Sequence, residues 1–319
     1  MSELHGLRIR EAVRALVVDD AERVLLVRFE FPGGTIFNGD LSKITPITPI
    51  LGARITGLDL NAPLTPSDFT AMEQALHAHG FIVFPAQSLS PQSLVQFAKA
   101  WGRPEPHVID TFHHPADPNV LILSNVVKDG KPVGLMDAGT YFHTDYSYLQ
   151  DAARCTILHA INVPQAPNGT TFANQAVAYA ELPSDLKARI DDFVVNHHYG
   201  NRDDLDPESR TVASVLNDDQ KNRVNWVKHP LVRPHPFTGQ PALYAVSGSS
   251  FTIDGMSPEE GKALLDELKH HATQDHYCHT HHYTNGDVIV WDNALLLHKA
   301  PLIDLSQPRE LWRVTVKYL

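Results

Sequence analysis

Short apolar runs closed by turn residues recur along this chain, and they limit the folds open to it. FIVFPAQ (81–87), NVLILSNVV (119–127), ARCTILHAINVP (153–164), PALYAVSG (241–248), GDVIVWDN (286–293) and RELWRVTVKYL (309–319) each read as a strand bounded by glycine, proline or asparagine. A few helices interrupt them. SDFTAMEQALHAHG (67–80), SPQSLVQFAKAWG (90–102), SDLKARIDDF (184–193) and SPEEGKALLDELKHHAT (257–273) open on serine and carry amphipathic spacing. TTFANQAVAYAELP (170–183) starts extended and turns helical. Many short strands with helices packed outside predict a mainly β architecture with flanking helices (α+β), either a β-sandwich or a jelly roll.

Residues 1–44 stand apart. AVRALVV (12–18) and RVLLVRF (23–29) read as two strands around the acidic turn DDAE. This stretch resembles the opening strands of a Nudix hydrolase, but the Glu-rich metal-binding box never follows. It is expected to be an N-terminal extension, with the main domain spanning residues 45–319.

Composition excludes several function classes. Of 319 residues, 43% are hydrophobic and 20% charged, and the formal net charge is −11. Such an acidic chain is a poor partner for nucleic acid, which needs clustered lysine and arginine to neutralise phosphate. No apolar run reaches the roughly 18 residues of a membrane span. The N-terminus shows no apolar core of signal-peptide length. The two cysteines, Cys155 and Cys278, cannot build a disulfide scaffold and suit a reducing compartment, so a cytoplasmic location is expected.

The chemistry concentrates in YFHTDYSYL (141–149). Read as a strand, it would project His143 and Asp145 to one side and Thr144 to the other. A chain with 19 histidines yields about one His-x-Asp by chance, so the pair needs a third ligand. The best candidate is His298 in GDVIVWDNALLLHKAP (286–301), just past an apolar strand. Two histidines and one carboxylate leave positions open on a metal, the arrangement of non-haem Fe(II) oxygen chemistry. In RELWR, Arg309 and Arg313 share a strand face with Leu311. A guanidinium there can grip a carboxylate or sulfonate through two parallel hydrogen bonds. His279 and His281, in HYCHTHHY (276–283), are expected on an exposed strand, and the His-His pairs at 113–114, 197–198 and 270–271 receive the same ordinary reading.

Five blocks, in order, resemble the taurine dioxygenase/phenoxyacetate dioxygenase (TauD/TfdA) family of Fe(II)- and 2-oxoglutarate-dependent oxygenases. They are LGARITGLDL, FHTDYSY, APNGTTFAN, HPLVRPHPFTGQPALY (229–244), and DVIVWDNALLLHKAP with the two arginines after it. The resemblance implies a double-stranded β-helix (cupin-like jelly roll), and Fe(II), 2-oxoglutarate and O2 as cofactor and cosubstrates. It implies that His143, Asp145 and His298 hold the iron, and that Arg309, assisted by Thr171, holds 2-oxoglutarate. Arg313 would bind the substrate's acidic group, with His107, Tyr146 and Tyr148 lining the pocket. Gly139 stands where the taurine enzyme has an asparagine that contacts its sulfonate, which weakens taurine as the substrate. The expected activity is hydroxylation or desaturation of a small anionic molecule bearing a carboxylate, sulfonate or sulfate, with release of succinate and CO2. Assembly into a homo-oligomer stays open. Two rival readings are an inactive binding or sensor protein on the same scaffold and a zinc hydrolase. The hydrolase lacks an evident nucleophile and gives the arginines no role.

Overall fold

The computed structural model describes residues 44–136, 138–199, 216–222, 224–302 and 304–319, together with the backbone of two short strands at 16–18 and 24–26. The chain divides into two compact units, Met1–Asn38 and Gly39–Leu319. In the first unit, Leu16–Val18 pairs antiparallel with Val24–Leu26, so both strands expected there form.

The second unit is a double-stranded β-helix. Its large sheet has nine strands, running in space Ile44–Pro46, Ala53–Ile55, Phe81–Phe84, Val288–Asp292, Ala153–Asn162, Glu310–Lys317, Asp117–Ser124 and His113–His114, with Arg103–Glu105 also paired to Glu310–Lys317. Neighbours pair antiparallel except Ala53–Ile55 with Phe81–Phe84. A smaller sheet places Thr170–Asn174 between Cys278–His281 and Leu296–Lys299. A third joins Val227–Pro230, Val194–His197 and Ser250–Ile253.

Side-chain alternation sorts these strands into layers. One face of the large sheet presents Ile82, Phe84, Ile157, Val290, Val314 and Val316 to the Pro66–His79 and Pro91–Trp101 helices. Its other face presents Phe81, Leu158, Ile289, Trp291 and Leu311 to the small sheet. Phe172 is the keystone between the sheets, its ring 4.6 Å from Phe81 and 5.7 Å from Trp291. Each such side chain, fully buried, stabilises the fold by about 1.5–3 kcal/mol. The outer face of the small sheet, through Ala173 and Leu297, packs on the Pro258–Ala272 helix. The helices begin where the sequence signals them. Thr65 with Asp68, and Ser257 with Glu260, form capping boxes, each followed by proline. No helix among the described residues is long and apolar enough to cross a membrane.

Two local expectations fail. Residues 140–149 do not form a strand. Only His143 is bridged, to His298, and the chain then turns, with Tyr146 at φ 56°. Left-handed backbone at a tyrosine ends any extended run. Cys278–His281 is a strand, but not an exposed one, because its register with Thr170–Asn174 points His279 and His281 into the interior. His281 is buried beside Asp287, and His279 lies stacked 6.0 Å from Phe81. His197 is likewise fully buried.

Candidate active site

His143 and His298 face each other across the only contact that ties the 140s turn to the small sheet among the described backbone bridges. The His143 N–H donates to the His298 carbonyl at 3.0 Å, and the His298 N–H returns the bond at 2.9 Å. Their ring centres lie 4.2 Å apart. Asp145 completes the group, its two carboxylate oxygens each 3.6 Å from one histidine Nε2. That spacing is too long for a hydrogen bond. It suits donors gathered around a cation with bonds of about 2.1 Å.

Tautomer and charge agree. The His143 Nδ1–H donates to the Tyr141 carbonyl at 2.8 Å, which turns Nε2 toward Asp145. His298 is buried, and its Nδ1 has no partner among the described residues. Burial first, then neighbouring His143, pushes its pKa down to about 3, so it stays neutral. Burial alone would raise the Asp145 carboxyl. Arg313 first, then His298 and His143, outweigh it and hold the group well below the usual carboxylate range. Thr156 braces the carboxylate with a hydroxyl 2.7 Å from Oδ2, and is itself held by the Asn293 amide at 3.1 Å. Two imidazoles and one ionised carboxylate form a donor set that fits a divalent first-row metal.

His77, His235 and Asp292 also cluster, but differ in their protons. The Thr238 N–H donates to His235 Nδ1 at 3.1 Å, which puts the imidazole proton on Nε2, where it donates to Asp292 Oδ2 at 2.9 Å. Both nitrogens of the His235 imidazole are thus engaged, and neither offers a lone pair to a metal.

Strand register decides the surrounding residues. Phe172 lies opposite His298, so Phe172 and its i−2 neighbour Thr170 face the interior. Thr171 lies opposite Lys299 and bonds the Thr280 hydroxyl at 2.8 Å on the outer side. This corrects the expectation for Thr171: its hydroxyl is turned away from the metal group. Thr170 takes the inward position, 2.6 Å from the Tyr283 hydroxyl, and that phenol lies in electrostatic reach of Arg309. Arg309 is buried, its backbone clamped by Ser124 and Asn125. Burial lowers its pKa, and it makes no ion pair among the described residues. A buried guanidinium without a counter-ion is costly, so the position suits an anionic ligand.

Arg313 lies on the same inward face, with Nη1 3.4 Å from Asp145 Oδ1. Around it stand Tyr146, Tyr148, Tyr199 and half-buried His107, whose ring is 6.0 Å from that of Tyr146. His107 Nδ1 accepts the Ile109 N–H at 3.1 Å. Burial, then Arg313, pushes its pKa well below the ordinary histidine range. The structure thus gathers His143, Asp145 and His298 with Arg313, sets His107, Tyr146 and Tyr148 in electrostatic reach of that arginine, places Arg309 by Tyr283 and Thr170, and turns Thr171 outward. Sequence reasoning missed Thr156, Thr170, Tyr199, Tyr283 and Asn293. A polar residue at an inward position of an apolar strand, as in ARCTILHA, was the available signal for Thr156.

A sequence model described as taurine catabolism dioxygenase TauD, TfdA family matches residues 43–315. The chain is 31% identical over 281 residues to an alpha-ketoglutarate-dependent 2,4-dichlorophenoxyacetate dioxygenase from Cupriavidus pinatubonensis, spanning 85% of this chain and 96% of that protein. It is 26% identical over 281 residues to pentalenolactone F synthase from Streptomyces arenae, spanning 85% and 94%. Among solved structures, AAD-2 in complex with Mn(II) and N-oxalylglycine superposes with a TM-score of 0.71 at 28% identity, covering 86% of this chain and 97% of that one.

Proposed function

Because the chain belongs to the TauD/TfdA family of Fe(II)- and 2-oxoglutarate-dependent dioxygenases, we propose that it hydroxylates or desaturates a C–H bond of a small organic acid held by Arg313. The enzyme uses Fe(II), 2-oxoglutarate and O2. His143, Asp145 and His298 would hold the iron, with Thr156 and Asn293 keeping the carboxylate aimed. Bound there, Fe(II) supplies the oxygen chemistry that couples decarboxylation of 2-oxoglutarate to succinate and CO2 with attack on the substrate. Arg309 would pair with the far carboxylate of 2-oxoglutarate, with the Thr170 hydroxyl beside it. His107 and the tyrosines would orient the substrate and exclude water from the reacting face. Residues 45–319 would carry all of this, with 1–44 as an N-terminal extension.

The observation that carries the reading is a pair of buried arginines four residues apart, one of them beside the metal group. Arg309 has no counter-ion among the described residues, and Arg313 reaches the Asp145 carboxylate. Two buried guanidinium groups, one of them free for an anion, suit a reaction of two acids. A carboxylate is the favoured substrate group, since the relative from Cupriavidus acts on 2,4-dichlorophenoxyacetate.

Oxygen uptake with Fe(II) and 2-oxoglutarate, screened over carboxylates, sulfonates and sulfates, tests the proposal. Carboxylates should stimulate uptake with matched succinate. Arg313→Ala should raise the substrate KM about 10- to 100-fold, the worth of a charged hydrogen-bonded contact. Uptake that no acid stimulates, or an Arg313→Ala variant with unchanged substrate KM, would overturn it.

A further inference from the structure

Aromatic rings gather around Arg313, yet they bring polar atoms with them. Tyr146, Tyr148 and Tyr199 follow one another edge to face, with ring centres 5.8 and 4.7 Å apart. Tyr146 donates its hydroxyl to the Glu105 carbonyl at 3.3 Å and is satisfied. Tyr148 and Tyr199 differ. Tyr148 is only 7% exposed, yet neither its hydroxyl nor that of Tyr199 finds a hydrogen-bond partner among the described residues. Neither is sealed in packed protein, for both are missing from the buried side-chain atoms left without a partner. Both lie in electrostatic reach of each other and of the Arg313 guanidinium. Burial raises both phenols, that of Tyr199 to about 12, so they remain protonated donors at any ordinary pH.

Phenylalanine would build the same aromatic wall without a polar atom. A hydroxyl left unpaired when a ligand binds against it costs about 1–3 kcal/mol. A pocket that keeps two such groups facing its ligand is built to hydrogen-bond that ligand, and it penalises analogues that cannot answer. Resting on the reading that Arg313 holds the acid end, we infer that the substrate is an acid bearing a second oxygen function away from its carboxylate. That hydroxyl, ether or carbonyl oxygen is recognised by Tyr148 and Tyr199. Oxygenated acids are therefore preferred over halogenated or unsubstituted acids of the same shape.

The test is anaerobic calorimetric titration of the Fe(II)- and 2-oxoglutarate-loaded enzyme with phenylacetate, 4-chlorophenylacetate and 4-hydroxyphenylacetate. The hydroxylated acid should bind about tenfold tighter than the chlorinated one, the worth of one good hydrogen bond. Tyr148→Phe or Tyr199→Phe should narrow that preference, and the double variant should bring it to within about twofold. Tighter binding of the chlorinated acid, or a preference that survives the double variant, would overturn the inference. So would an equal loss for all three acids, because the hydroxyls would then serve the carboxylate. Binding of none of the three would overturn it too. A hydroxyl preference that holds while no acid yields product would leave the inference standing and remove the proposed reaction.

Discussion

Gly139 and Gly248 close on His143 from two sides. A Cβ at Gly139 would stand 2.6 Å from His143 Cε1, and one at Gly248 would stand 2.8 Å from His143 Cβ. Both glycines have positive φ, 73° and 82°, which L side chains rarely adopt. Gly139→Ala should therefore displace the imidazole and weaken divalent-metal affinity by about 10- to 100-fold, the usual range for groups that orient a ligand. A Co(II) titration reads this, and unchanged affinity would contradict the slot. Sequence comparison marked Gly139 only for the asparagine it lacks. Its contact with His143 is legible only in space. The neighbouring threonines teach the same lesson. A slip of one residue moves a strand side chain to the opposite face, and only the pairing of Phe172 with His298 selects Thr170. Thr170→Val should raise the KM for 2-oxoglutarate about tenfold, while Thr171→Val should leave it within about twofold. The reverse pattern would restore the sequence assignment.

At the scale of elements, the Glu310–Lys317 strand was the most legible part of the site. Its alternation sends Leu311 and Arg313 inward and Trp312, Val314 and Val316 toward the helices, as RELWRVTVKYL suggests. The 140s were the least legible. Tyrosine-rich sequence favours a strand, but His143 needs only one bridge to reach His298, and the turn after it lifts Asp145 between the rings. The order of ligands could be read; the backbone that brings them together could not, because it depends on a contact 155 residues away along the chain, from 143 to 298. Arg309 and Arg313 should separate kinetically. Arg309→Ala should raise the KM for 2-oxoglutarate about 10- to 100-fold with little effect on that of the substrate. If the substrate KM moved instead, the two arginines would have exchanged roles.

On the scale of the whole molecule, short continuous apolar runs and capped helices made the layered β architecture readable, because burial on both faces of the large sheet dictates such runs. Buried polar groups were not readable. His197 carries no exposed surface, and neither ring nitrogen has a partner among the described residues. Burial, then His229 and Arg233, lowers its pKa from 6.5 to about 3. The unfolded chain therefore takes up this proton first as pH falls. Its contribution to stability is fully present above pH 6.5 and is lost between there and about 3, at about 1.4 kcal/mol per pH unit. Urea unfolding across that window should show a shallower pH slope for His197→Phe than for the native chain; equal slopes would mean that His197 titrates normally. The account as a whole stands on the metal group, and calorimetric titration of the anaerobic metal-free protein with Fe(II) tests it most directly. A single site should appear in the native chain, with affinity falling about a hundredfold or more in His298→Ala, whereas Fe(II) bound as tightly without His298 would contradict it.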